Sequence, residues 1–317
     1  MRRTFTPLVA LVAALLLSAG ALVVAGRTDR AGATAPASAS GLGCVGNTFV
    51  LGGTQQVLWV IDQSTDTVVS TINLGVTAYA LAISADGSTL AAAGLNDSDI
   101  AIIDARTHAV TLLPITGNPA DVALSRDGRT LYVSFADATI QKWDLTTRTV
   151  VATATLQAIN ASQLRTLVLS PDESVLWAVN IDGTPDGRVH EIITATMSYV
   201  NAPGFGPFDY PYDAAISSDG AQLFIAEAGS GLVARVATSN GAVSRFATNF
   251  RNPDAIALAP DGATMLVATG GMNPIVFFAS TSTGAVTTNQ SFNYWSLDSA
   301  AFNATGSKAY VVGANYA

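Results

Sequence analysis

Five side chains in this sequence have types and spacing that could do chemistry: Tyr79, Arg165, Tyr212, Asp254 and Asp298. Each stands eight residues before the last position of a recurring turn, and Ala120 holds the sixth equivalent place. Two carboxylates, a guanidinium and two phenols around one opening would bind a polar ligand, hold a divalent metal, or polarise a carbonyl beside a base. The structural alternative pairs Arg165 with a nearby carboxylate and leaves the tyrosines to cap a core. Asp254, Asp298 and Arg165 are the catalytic candidates of this set.

A second candidate surface is the stretch Asn201 to Tyr212, with Phe205, Phe208, Tyr210 and three prolines. Exposed, it would be a hydrophobic or carbohydrate-stacking platform; folded inward, a plug. Asp182-Gly183-Thr184-Pro185-Asp186-Gly187 starts like a calcium loop, but Ile193 stands where the bidentate Glu belongs, so a plain turn is expected. Only His108 and His190 exist, and their predicted places in an outer turn and a third strand argue against a Ser-His-Asp site.

The elements that must position these residues announce themselves through the turns. Ser84-Ala85-Asp86-Gly87 recurs as Ser125 to Gly128, Ser170 to Glu173, Ser217 to Gly220, Ala259 to Gly262 and a degenerate Asn303 to Gly306. The third positions are 86, 127, 172, 219, 261 and 305, a spacing typical of propeller blades. Between turns lie short apolar strands. Asn118 to Leu156 shows the unit best: Val122-Ala123-Leu124, Thr130 to Ser134, Thr139 to Asp144 and Val150 to Thr155 alternate as four antiparallel strands. Such strands are too short to be stable alone, so the blades must stack around an axis. The turn aspartates are expected to be structural, because Asp and Gly favour tight turns.

The pattern predicts an all-β chain, a β-propeller of four-stranded antiparallel blades. It contains six inner strands and seven second strands, since Phe49 to Gly52 precedes the first full repeat and Ala309 to Gly313 follows the last. Six blades with one surplus strand, or seven with the last one cut short within Gly313 to Ala317, both fit that count.

Residues 1–33 are expected to be a signal peptide or an N-terminal anchor: Arg2 and Arg3 precede an uncharged apolar run from Leu8 to Ala25, and Ala31-Gly32-Ala33 offers a cleavage site. The remainder is therefore expected outside the cytoplasm, in the periplasm, on the cell surface or free, touching a membrane only through an uncleaved N-terminal segment. Residues 34–46 read as a flexible leader and 47–317 as the propeller domain. Cys44, the sole cysteine, rules out an internal disulfide. From residue 34 onward 11 Lys and Arg face 22 Asp and Glu, a net charge of −11 that disfavours nucleic acid as a partner.

Trp59-Val60-Ile61-Asp62 with Val68-Val69-Ser70-Thr71-Ile72 and Gly75, and the runs Asn118-Pro119 to Gly128 and Asn252-Pro253 to Gly262, resemble the repeat of bacterial YVTN-type β-propellers. Tyr132-Val133-Ser134-Phe135 departs from the signature tetrapeptide, and Trp143-Asp144 lacks the Gly-His partner of WD repeats. The resemblance implies an exported or surface-attached propeller. It also points to related seven-bladed lactonases and to gluconolactonase-like propellers that hold a divalent metal with Glu, Asn and Asp; this ring has Asp254 and Asp298 and no Glu. The function expected is therefore a non-catalytic scaffold that binds a protein, small-molecule or carbohydrate ligand. The alternative is a lactonase-like hydrolase, with Asp254 and Asp298 holding a metal or acting as base and Arg165 polarising the carbonyl. A purely structural envelope element is the third.

Overall fold

A computed structural model of the chain describes residues 13–17, 20–27, 46–52, 56–94, 98–156, 164–180, 187–200, 204–293 and 296–314. The expected cleavage site, most of the leader, the loop after Asn180 and residues 315–317 lie outside them. All regular structure among the described residues is β, and no helix there is long and apolar enough to cross a membrane.

Six four-stranded blades follow one another in a propeller. Their inner strands are Ala80–Ile83, Pro119–Leu124, Leu164–Leu169, Pro211–Ile216, Pro253–Leu258 and Ser296–Phe302. Each pairs antiparallel with a second strand: Thr89–Ala93, Thr130–Phe135, Val175–Asn180, Gln222–Glu227, Thr264–Thr269 and Lys308–Ala314. The first five blades add a third and an outer strand of their own. In the sixth, Gly20–Arg27 and Ala13–Leu17, from the segment expected to be a signal or anchor, form a hairpin on Lys308–Ala314, with Gly20–Arg27 running parallel to it. A sheet of three strands, Asn47–Leu51, Val57–Asp62 and Thr67–Asn73, precedes the first blade and supplies the seventh second strand.

Alternation within each strand sends neighbouring side chains into different layers. On Thr130–Phe135, Leu131 and Val133 pack against Ala91 and Ile100 of the first blade, while Tyr132 enters the layer with Leu167 and Leu176 of the third. Seven such apolar layers join successive sheets into a ring. The smallest joins the sixth blade to the three-stranded sheet: Val50, Ile61 and Val312 beside Trp59. There Lys308 Nζ donates to both Asp66 carboxylate oxygens at 2.8 Å and to the Gln63 carbonyl.

The acidic turns form as their residue types demand. Ser84 Oγ donates to Asp86 Oδ1 at 2.6 Å and accepts the Thr89 N–H at 3.0 Å, and Ser125, Asp127 and Thr130 repeat this at 2.7 and 2.9 Å. The serine hydroxyls hold both carboxyls below the usual carboxylate range. The fourth position is left-handed, φ 71° at Gly87 and 67° at Gly128; Glu173 adopts the same conformation at 61°, and its carboxylate takes the Arg126 N–H of the neighbouring turn.

Candidate functional site

The strand pairing gives four of the five candidate side chains a common cause. In five blades the inner strand slips by one residue near its start, between Pro119 and Asp121, Leu164 and Thr166, Pro211 and Asp213, Pro253 and Ala255, and Leu297 and Ser299. The extra residues are Ala120, Arg165, Tyr212, Asp254 and Asp298. A bulge frees one residue from the ladder and re-aims its side chain. These five are half-buried or exposed, while the flanking Pro119, Leu164, Pro211, Pro253 and Leu297 are buried. Tyr79 precedes the inner strand of the first blade, its N–H donating to Ala93 O at 2.7 Å.

The bulges bring Arg165 and Tyr212 together: the guanidinium carbon stands 5.0 Å from the centre of the phenol ring. Asp254 Oδ1 accepts from Asn252 Nδ2 at 3.1 Å, and its carboxylate lies so close to Gly270 that a Cβ there would sit 1.9 Å from Oδ2. Only glycine at 270 leaves that position open to the carboxylate. Asp298 is half-buried on the inner strand of the sixth blade. Among the described residues no three His, Cys, Asp or Glu side chains converge as a metal site.

One residue further along the inner strands is a feature the sequence reasoning passed over. Asp121 is buried; its Oδ2 accepts the Leu167 N–H at 2.7 Å, and its own N–H donates to Ser134 Oγ at 3.0 Å. Asp213 Oδ1 accepts the Ala214 N–H at 2.8 Å and Oδ2 the Ile256 N–H at 2.9 Å. Each carboxylate thus reaches the inner strand of the next blade and satisfies an N–H that has no strand on its axial side. Burial pushes the Asp213 carboxyl up to about 7, with the charge of Asp121 adding to the effect; the Ile256 and Ala214 N–H groups and the Thr166 hydroxyl oppose it. Asp213 keeps a little solvent exposure. An Asp opening two apolar inner strands, Asp121-Val122-Ala123-Leu124 and Asp213-Ala214-Ala215-Ile216, was the available signal.

The aromatic stretch lies flat against the third and fourth blades. Phe205–Phe208 pairs with Gly187–Ile193 as a fifth strand. Phe208 is fully buried in the layer between these blades, which removes it from any exposed platform, and Phe205 packs at 5.8 Å from Trp177. Tyr210 alone of the three keeps 40% exposure. The Arg245 guanidinium forks onto Glu227 at 2.7 and 2.9 Å and donates to Pro207 O at 2.8 Å, while the Asp209 N–H donates to Glu227 Oε1 at 3.0 Å. Residues 201–203 lie outside the described part of this stretch, as do residues 182–186 of the calcium-like loop.

His190 is buried, with Nδ1 3.0 Å from Tyr199 Oη and Nε2 2.9 Å from Asn180 Oδ1. Burial, and then the nearby Arg188, push its pKa down to about 4, so it is neutral at physiological pH. Asn180 Oδ1 can only accept, which places the ring proton on Nε2. His108 Nδ1 stands 3.3 Å from Ser70 Oγ, in an outer turn.

No family model matches the chain, and no curated protein matches it in sequence. Among solved structures it is similar to a chain of hydrazine synthase from Kuenenia stuttgartiensis, with a TM-score of 0.74 over 90% of this chain and 93% of that one. The identity is 18%, and the likeness is one of fold.

Proposed function

We propose that the chain is an exported, non-catalytic β-propeller scaffold that binds a ligand at the bulge-lined end of its inner strands. One observation carries this reading. Five blades place a bulge at the same position, and the side chains re-aimed there are chemically different: Ala120, Arg165, Tyr212, Asp254 and Asp298. A repeated frame presenting unlike groups at one end suits recognition of a polar, non-repeating ligand, with carbohydrates and sugar acids foremost. Arg2, Arg3 and the apolar run after them support export.

The test is a titration of neutral oligosaccharides and sugar acids against the purified protein, with Arg165→Ala and Asp298→Asn beside it. Saturable binding lost in both variants, each still folded and with Tm lowered by no more than a few degrees, is the expected result. Assays on lactones and sugar-acid esters, with and without Ca²⁺, Mg²⁺, Mn²⁺ and Zn²⁺, accompany it. Steady turnover lost on Asp254→Asn would replace the scaffold with a lactonase-like hydrolase.

A further inference from the structure

The charged side chains of the bulge-lined end are not scattered around it. Arg165, Tyr212, Asp254 and Asp298 hold the same strand position on consecutive blades, the third to the sixth. Passing around the ring, a guanidinium is followed by a phenol and then by two carboxylates. Tyr79 and Ala120, at the equivalent places of the first and second blades, bring neither a guanidinium nor a carboxylate. This end of the inner strands therefore has a positive pole at the third blade and a negative one at the fifth and sixth.

Both poles are held in place by their own neighbours. The Arg165 guanidinium carbon lies 5.0 Å from the centre of the Tyr212 ring, and a planar guanidinium packed on a ring keeps its N–H fork in an orientation suited to a planar carboxylate. Asp254 Oδ1 accepts from Asn252 Nδ2 at 3.1 Å, and the carboxylate fills the space beside Gly270 where a Cβ would come within 1.9 Å of Oδ2. Side chains fixed in this way lose little freedom when a ligand arrives. Arg165 is exposed and Tyr212, Asp254 and Asp298 are half-buried, so all four keep contact with solvent.

We propose that the ligand is a zwitterion, a polyhydroxylated acid with an amine at its far end, bound with its carboxylate on Arg165 and its ammonium on Asp254 and Asp298. The inference rests on the bulge-lined end being the binding site and names the class of ligand it takes. A sugar acid alone gains Arg165 but meets two carboxylates farther around the ring, and an amine alone gains the carboxylates but meets Arg165. A ligand with both charges, joined by a spacer that crosses Tyr212, satisfies both poles. Facing sheets pack about 10 Å apart, so groups two blades apart call for an amine and a carboxylate at opposite ends of the ligand instead of the adjacent pair of an α-amino acid. From residue 34 onward 11 Lys and Arg face 22 Asp and Glu, an acidic field that draws the amine in first.

Calorimetric titration with four probes of nearly equal size tests this. They are glucitol, with no charge; gluconate, with the acid; glucamine, with the amine; and gluconate bearing a terminal amine in place of its last hydroxyl, with both. The fourth should bind about 10-fold or more tightly than either singly charged probe. Arg165→Ala should weaken only the probes with an acid, and Asp254→Asn only those with an amine. Gly270→Ala, which displaces the Asp254 carboxylate without removing it, should likewise weaken only the amine probes. Gluconate or glucamine binding as tightly as the doubly charged probe would overturn the inference, as would variants that weaken all four alike. Saturable binding of a neutral oligosaccharide with none of the charged probes would overturn it too while leaving the binding site itself standing; no saturable binding of any of these compounds would overturn both.

Discussion

Arg165 lies over the ring of Tyr212 at 5.0 Å, and the two residues belong to different blades. Each is the extra residue of a bulge at the same strand position, so the contact follows from the repeat frame meeting two complementary side chains. A guanidinium over an accessible phenol ring contributes about 0.5–1 kcal/mol. A double-mutant cycle with Arg165→Ala and Tyr212→Leu, read by urea unfolding, should return a coupling of about that size. Coupling near zero would show that the two side chains act separately.

The Asp213 carboxyl gives stability a pH dependence of known sign. Its folded pKa, about 7, lies above the ordinary 3.8, so the folded chain keeps a proton that the unfolded chain releases. The contribution is complete below about 4 and is lost as pH rises toward 7. Asp213→Asn removes this slope while adding a pH-independent cost of about 1–3 kcal/mol, because one acceptor facing an N–H becomes a donor. The stability of Asp213→Asn relative to the unaltered protein should therefore rise between pH 4.5 and 7, as measured by denaturant unfolding at several pH values. A constant difference would mean that Asp213 is ionised throughout.

His190 works in the opposite direction. Its folded pKa, about 4, lies below the ordinary 6.5, so its contribution is present above 6.5 and is lost as pH falls toward 4. Because this window overlaps that of Asp213, the unaltered protein should show a flatter profile than either single variant, with His190→Asn and Asp213→Asn deviating in opposite senses. The His190 Cε1 proton, followed by NMR, should still be shifting near pH 4. A midpoint near 6.5 would show that the ring is solvated.

Much of the architecture is legible in the sequence because it is periodic. The recurring turns, degenerate at Asn303 to Gly306, mark the inner and second strands of six blades, and a fixed count from Gly128 or Gly262 lands on a bulge residue although the bulge itself leaves no mark. Asp121 and Asp213 were not legible as a pair, since their partners, Leu167 and Ile256, lie 46 and 43 residues away and meet them only when the ring assembles. The sequence leaves Phe208 open to a platform or an inward plug, because the apolar layer that buries it is assembled from strands of two blades far along the chain.

The Glu227–Arg245 fork is the next place where a single change should have a large effect. Glu227 is fully buried and accepts from Arg245 Nε, Arg245 Nη2 and the Asp209 N–H, so it holds the aromatic stretch by its backbone as well as by charge. Glu227→Ala leaves these donors without their acceptor and should cost about 3 kcal/mol or more. Glu227→Gln keeps one acceptor and should cost less. Limited proteolysis between residues 204 and 211 should accelerate in the alanine variant; unchanged cleavage would show that the Phe205–Phe208 pairing alone holds the stretch.

The seam between the sixth blade and the three-stranded sheet should be the weakest joint of the ring, because among the described residues its apolar layer is the smallest of the seven. Lys308 compensates there. Its ammonium bonds both Asp66 oxygens and the Gln63 carbonyl, with side-chain exposures of 20% and 15% for Lys308 and Asp66. Lys308→Met keeps the aliphatic stem and removes the charge, so it isolates the ionic part and should cost about 1–3 kcal/mol. Local opening should rise at the same time: amides of Val57–Asp62 should exchange faster while those of the fourth blade stay unchanged. Uniform acceleration across all blades would instead make the seam part of one global unfolding unit, and Lys308 would then be an ordinary stabilising residue with no special place at the joint.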